Sequence, residues 1–123
     1  MTNVSESSPS LGVRASRIDT GLVIEASGDL DLSTIHAFEE QYHRSLDDLK
    51  AVGGDKTLIL DFRELIFIDS AGLALLIGMK RELAAIEKEL VVLIAPGTQL
   101  QRVFKIGQFH RLINIKFNLA DAD

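Results

Sequence analysis

The sequence contains no cysteine, which excludes a disulfide framework, thiolate metal sites and a cysteine nucleophile in one step. It also lacks any run of Lys or Arg. With 18 acidic against 13 basic residues the net charge is −5, and no basic stretch could line a phosphate backbone, so nucleic acid is not an expected partner. No apolar run approaches the roughly 20 residues needed to span a bilayer. The opening Met1 to Ser10 has neither a basic start nor an apolar middle, so it is not read as a signal peptide. These absences lead to the expectation of a cytoplasmic protein with no membrane insertion.

Devices for nucleotide chemistry and catalysis are missing as well. Gly53-Gly54 is not followed by Gly-Lys-Ser, and no G-x-G-x-x-G follows a strand. Ser70 does not sit in a G-x-S-x-G elbow, because Ile68-Asp69 precede it and Ala71-Gly72 follow. A serine nucleophile also needs a base, and His110 has no visible orienting partner. His36 and His43 lie seven apart on one helix face with no carboxylate completing a metal set. The expectation is a non-enzyme with no catalytic residue, no metal and no cofactor.

What is present fits one soluble domain. The chain has 123 residues, 46% hydrophobic and 25% charged, enough for a single core and too short for two. Residues 1–10 are polar and Ser-rich and are read as a loose tail, 11–117 as the domain, and 118–123 as a fraying end.

Taken in order, Leu11 to Ile18 alternates weakly, Asp19-Thr20-Gly21 supplies turn chemistry, and Leu22-Val23-Ile24 begins a second strand, which together predict an opening antiparallel hairpin. Ser33 or Thr34 is placed to cap a helix of about 18 residues, whose core stripe is Ile35, Phe38, Tyr42, Leu46 and Leu49. Gly53-Gly54 stops that helix, and Thr57 to Phe62 forms a strand ending at a half-apolar link. A second long helix is expected from Ser70 to about Glu89. The continuous apolar run Leu90 to Ile94 then reads as the central strand of the sheet. After Pro96-Gly97, Thr98 caps a short helix with Leu100, Val103 and Phe104 inward and Gly107 at its end, and Ile113 to Phe117 closes as a last strand. The order ββαβαβαβ calls for an α/β fold with a mixed, mostly parallel sheet.

The stretch around Ser70 is the most informative. Ser70 stands where an N-cap would, at a helix mouth whose first amides lack intrahelical partners and whose dipole favours a phosphate. A plain cap is one reading; the following helix opens a second. Leu76, Met79, Leu83 and Ile86 recur at spacings of three, four and three and make the core face. The opposite stripe runs from Ser70 through Ala74, Ile77 and Arg81 to Lys88, with Leu73 at its edge, and its half nearest Ser70 is apolar. Either another helix of the same domain covers Leu73 and Ile77, or they form a docking patch with a modifiable hydroxyl at its border.

The acids Asp29, Asp31, Asp61 and Asp69 all follow or close strands, and neighbouring parallel strands would gather them at one sheet edge; local turn and cap formation is the alternative. A phospho-aspartate receiver with Asp61 as acceptor, and Asp29 and Asp31 for Mg²⁺, is a rival reading. It wants a Lys after a later strand, where this chain has Ala95-Pro96-Gly97.

Four segments, Gly28-Asp29-Leu30-Asp31, Leu60-Asp61-Phe62, Phe67-Ile68-Asp69-Ser70-Ala71-Gly72-Leu73 and Val103-Phe104 with Gly107, resemble the STAS domain of the anti-sigma factor antagonists, over about Leu11 to Phe117. The resemblance implies a β-α superhelix with helices mainly on one side of a mixed sheet. It implies that Ser70 is phosphorylated by an anti-sigma factor that is also a serine kinase, and dephosphorylated by a metal-dependent Ser/Thr phosphatase. The unphosphorylated form would bind the anti-sigma factor and free a sigma factor. Asp31 matches an acid that helps the kinase or its nucleotide engage, and Ala71 stands where many relatives carry a second hydroxyl residue. The partner surface expected on these grounds is Asp29, Asp31, Asp69, Gly72, Leu73, Ala74, Ile77 and Arg81. Other members of the family are non-catalytic subunits of lipid-transport ATPase complexes or stress-sensing assemblies, which is the alternative role.

Overall fold

The computed structural model describes residues 11–51 and 56–122. The first elements are the hairpin strands β1 (Leu11–Ile18) and β2 (Gly21–Leu30), helix α1 (Ile35–Ala51) and strand β3 (Thr57–Ile68). Then follow α2 (Ser70–Ala85), β4 (Glu89–Leu93), α3 (Gln99–Ile106), a 3₁₀ turn at Phe109–Arg111, β5 (Asn114–Lys116) and α4 (Leu119–Ala122). The sheet runs β1-β2-β3-β4-β5, with β1 antiparallel to β2 and every later pairing parallel. The mixed α/β expectation therefore holds, with one correction: the central strand is β3, and β4 lies between it and the short edge strand β5.

Alternation along the strands divides the interior into two layers. Leu22, Ile24, Leu58, Leu60, Leu90, Val92 and Ile94 face the helices and join Phe38, Tyr42, Leu46, Leu49, Leu76, Met79 and Leu83 in the main core. The intervening Val23, Ile59, Val91 and Leu93 are buried on the reverse face, where Ile18 and Leu119 pack against them. A strand buried on both faces reads as an unbroken apolar run, as β4 does. Leu119 belongs to α4, so the segment expected to fray from residue 118 instead supplies a side chain to the second layer. The Tyr42 hydroxyl donates to Glu82 Oε1 at 2.7 Å and ties α1 to α2. Burial and the Glu82 carboxylate together push that phenol far above its ordinary value.

Three boundaries differ from the sequence reading. The half-apolar link after Phe62 is strand: β3 continues to Ile68 and pairs with Ser27–Leu30 of β2, with register shifts between Glu25 and Ser27 and between Gly28 and Asp29. Each shift puts an extra residue on β3, so its inward positions become Phe62, Leu65 and Ile68, a spacing of three that no strand period suggests. Second, α2 stops at Ala85, short of Glu89. Lys88 N donates to Leu83 O at 2.8 Å and Glu87 N to Ala84 O at 3.1 Å, with Glu87 in the left-handed region at φ 62°, a Schellman close without the usual glycine. Third, the closing strand is Asn114–Lys116, shorter at both ends than expected. The stop expected at Gly53-Gly54 and the tail at 1–10 lie outside the described residues.

Candidate functional site: the entry to helix α2

β2 and β3 end side by side, with Asp29 opposite Phe67 and Leu30 opposite Ile68, so the loops that leave them, 31–34 and Asp69, meet at one end of the sheet. Asp69 N donates to Leu30 O at 3.2 Å. The N-cap of α2 is Asp69 rather than Ser70: its backbone is extended and its Oδ1 accepts from Gly72 N at 3.0 Å. Oδ2 of the same carboxylate accepts from Leu32 N at 3.0 Å and fastens the β2–α1 loop to the helix entry.

Ser70 is consequently the first helical residue. It is exposed, and no hydrogen bond reaches its hydroxyl from another described residue. The free-amide cradle expected for a phosphate is altered by the same shift, because the Gly72 amide is already held by a carboxylate. A phosphate on Ser70 would stand in solvent beside Asp69.

The loop across from it is fully organised. Asp31 Oδ1 accepts from Ser33 N at 2.9 Å and from Ser33 Oγ at 2.7 Å. The hydroxyl of Ser33 in particular, opposed by some desolvation and helped by the backbone amides of Ser33 and Thr34, holds the Asp31 carboxyl below the usual range. Thr34 is buried; its hydroxyl donates to Asp29 O at 2.9 Å and accepts from Asp31 N at 3.0 Å, bracing the loop. Asp29, Asp31 and Asp69 thus share one end of the sheet. Asp61 does not: it pairs in register with Glu25 within β2 and with Leu93 at the end of β4, while β2 and β3 run on to Leu30 and Ile68, and Arg63 grips it through Nε at 2.9 Å and Nη2 at 2.8 Å. The arrangement needed for a phospho-aspartate receiver, with Asp61 beside Asp29 and Asp31, is not formed.

Of the remaining expected residues, Gly72 is buried. A Cβ there would lie 2.6 Å from Ile68 Cγ1 and 3.0 Å from Leu30 O, so its place in the sequence reflects the close approach of α2 to the strand ends. Ala74 and Arg81 are exposed, and Leu73 and Ile77 are half-buried among the described residues, Leu73 leaning on the core. Lys88, expected on the same stripe, falls beyond the end of α2.

The sequence reading missed three apolar residues at this end. Leu32 is 74% exposed, Ile66 70% and Phe67 47%. Leu32 is the residue whose amide binds Asp69, and Phe67 precedes Ser70 by three. The available signal was Leu32 standing between Asp31 and Ser33, an apolar residue in a polar turn. Together Leu32, Phe67, Leu73, Ala74 and Ile77 leave apolar surface around a hydroxyl and three carboxylates, a composition suited to a protein partner.

A family model for the STAS domain matches residues 13–122. Among solved structures, an anti-sigma factor antagonist from Mycobacterium paratuberculosis superposes with a TM-score of 0.79 at 21% identity, covering 92% of this chain and 91% of that one. The anti-sigma factor antagonist SpoIIAA in its unphosphorylated form gives 0.61 at 24% identity over 90% and 93% of the two chains. The Bacillus cell fate determinant SpoIIAA in its phosphorylated form gives 0.61 at 25% identity over 90% and 96%. With the sheet order, the one-sided main helical layer and the Asp69-Ser70 helix entry in agreement with that match, this chain belongs to the STAS domain family.

Proposed function

We propose that this protein is a non-catalytic switch of the anti-sigma factor antagonist kind. In the unphosphorylated form it binds an anti-sigma factor that is also a serine kinase, and so releases a sigma factor. Phosphate on Ser70 ends the pairing, and a metal-dependent Ser/Thr phosphatase restores it. The observation that carries this reading is an exposed, unengaged hydroxyl at the first position of α2, bordered by uncovered apolar side chains.

Phosphorylation would add about 1.5 to 2 negative charges beside Asp69 and Asp31. Burying that charge against an apolar partner surface is costly, while the monomer loses nothing, since the hydroxyl supports no internal contact. Leu32, Phe67, Leu73, Ala74 and Ile77 supply the contact area, Arg81 a charge farther along the helix, and Asp29 and Asp31 an acidic border. The kin described above as anti-sigma factor antagonists support the same role.

The test is a titration of a cognate anti-sigma kinase with wild type, Ser70→Ala and Ser70→Asp. Ser70→Ala should bind as wild type does and Ser70→Asp at least about tenfold more weakly. Incubation with kinase and ATP should add one phosphate, by mass, to wild type and none to Ser70→Ala. Equal affinities of the two variants refute the switch.

A further inference from the structure

A second surface, remote in sequence from Ser70, lies where α3, the 3₁₀ turn and β5 meet. A cavity of about 260 Å³ opens there, lined among others by Ile94, Phe104, Ile115, Phe117, Lys105 and His110. Ile94 and Phe104 are buried and make its floor, with the Phe109 ring 6.0 Å from that of Phe104 behind it. Phe117 is 46% exposed at the lip. Ile106 and Leu112, on the two segments that border the cavity, are exposed as well.

The charge here is opposite to that of the whole. The chain carries −5, yet between Leu90 and Ala120 it has no Asp or Glu, while Arg102, Lys105, Arg111 and Lys116 all fall in that span. Among the described residues no carboxylate pairs with Lys105 or Lys116. An apolar hollow with an unpaired ammonium in its wall therefore stands on an otherwise acidic molecule.

We infer that this corner is a docking site for an acidic, amphipathic segment of a partner protein, which seats an apolar side chain against Phe104 and Phe117 and sets a carboxylate on Lys105. The hollow fits a single anchoring side chain of a larger partner, and the exposed Ile106 and Leu112 on the segments around it extend the apolar surface beyond what one small molecule would cover. The net charge decides against an anionic bilayer, which repels the acidic remainder of the molecule. Carboxylates interleaved with apolar residues complement the corner, and the Lys105 pairing sets the salt dependence.

The inference does not rest on the Ser70 reading. The test titrates isotopically labelled full-length chain with a 12-residue peptide carrying Leu and Phe on one face and Glu on the other, followed by amide chemical shifts. A counterpart with Lys for Glu and phosphatidylglycerol vesicles serve as the other arms. Shifts should be confined to Ile94 and its neighbours and to 101–117, the acidic peptide should bind at least about tenfold better than the basic one, and affinity should fall with salt. Lys105→Glu should weaken the acidic peptide about tenfold, as should Phe117→Ala, while Ser70→Asp leaves it unchanged. Equal binding of both peptides, shifts elsewhere, vesicle binding without peptide binding, or peptide affinity indifferent to both variants would overturn it. So would dimerisation through this face that excludes the peptide.

Discussion

The amide of Leu32 donates to Asp69 Oδ2 at 3.0 Å while Oδ1 of that carboxylate holds the Gly72 amide, so one side chain joins the β2–α1 loop to the start of α2. Asp69→Ala removes both bonds, about 1 kcal/mol for the cap and about 1 kcal/mol for the loop tie. Asp69→Asn keeps one carbonyl acceptor and should lose roughly half as much. Urea unfolding measures the difference, and hydrogen exchange at Leu32 should quicken in both variants.

Gly72 and Gly78 lie on the same helix and should answer alanine in opposite ways. At Gly72 the new Cβ would press on Ile68 and the Leu30 carbonyl, moving α2 off the strand ends at a cost of about 1–3 kcal/mol. Gly78 is exposed and a Cβ there meets nothing within 4 Å, so Gly78→Ala should stabilise by about 0.5–1 kcal/mol through helix propensity alone. Thermal melts of the two single variants decide it.

Leu32 and Phe67 contribute exposed apolar surface next to Ser70. Leu32→Ser and Phe67→Ser should leave the melting temperature within a few degrees of wild type. Each should weaken the anti-sigma factor complex by about tenfold or more if it lies at the centre of the contact. Calorimetric titration reads this, and an unaltered Kd for both would remove this end of the sheet from the interface.

Acid should destabilise the protein partly through Asp61. Burial works to raise its pKa, but the Arg63 guanidinium and backbone amide bind the carboxylate and hold it below the ordinary 3.8. A group depressed in the folded state contributes its stability above its unfolded value and loses it as pH falls through the folded value. Asp61→Asn should therefore cost about 1 kcal/mol or less at pH 7 and nearly nothing once the pH is well below 3.8. Urea midpoints at pH 7, 4 and 3 should show wild type and variant converging.

How much of this was legible follows from which contacts are local. The hairpin declares itself in Asp19-Thr20-Gly21, α1 in the stripe Phe38, Tyr42, Leu46 and Leu49, and α3 in Thr98, whose hydroxyl accepts from Gln101 N at 3.2 Å. The acids and Ser70 were named from sequence, and three of the four acids do gather. The later half of β3 was hidden, because two register shifts turn a period of two into a period of three. The helix end was hidden too, since Glu87 rather than glycine takes the left-handed position.

By itself the sequence determined the periodicities, the turn chemistry and the placing of a hydroxyl at a helix start, since each depends on neighbours a few residues apart. Only the tertiary structure decided that Asp69 and not Ser70 caps α2, that Asp61 stands apart from the other acids, and that Leu32 and Phe67 reach solvent. Those outcomes depend on the pairing of β2 with β3, which brings the Leu32 amide from far along the chain to a carboxylate that also holds the nearby Gly72 amide.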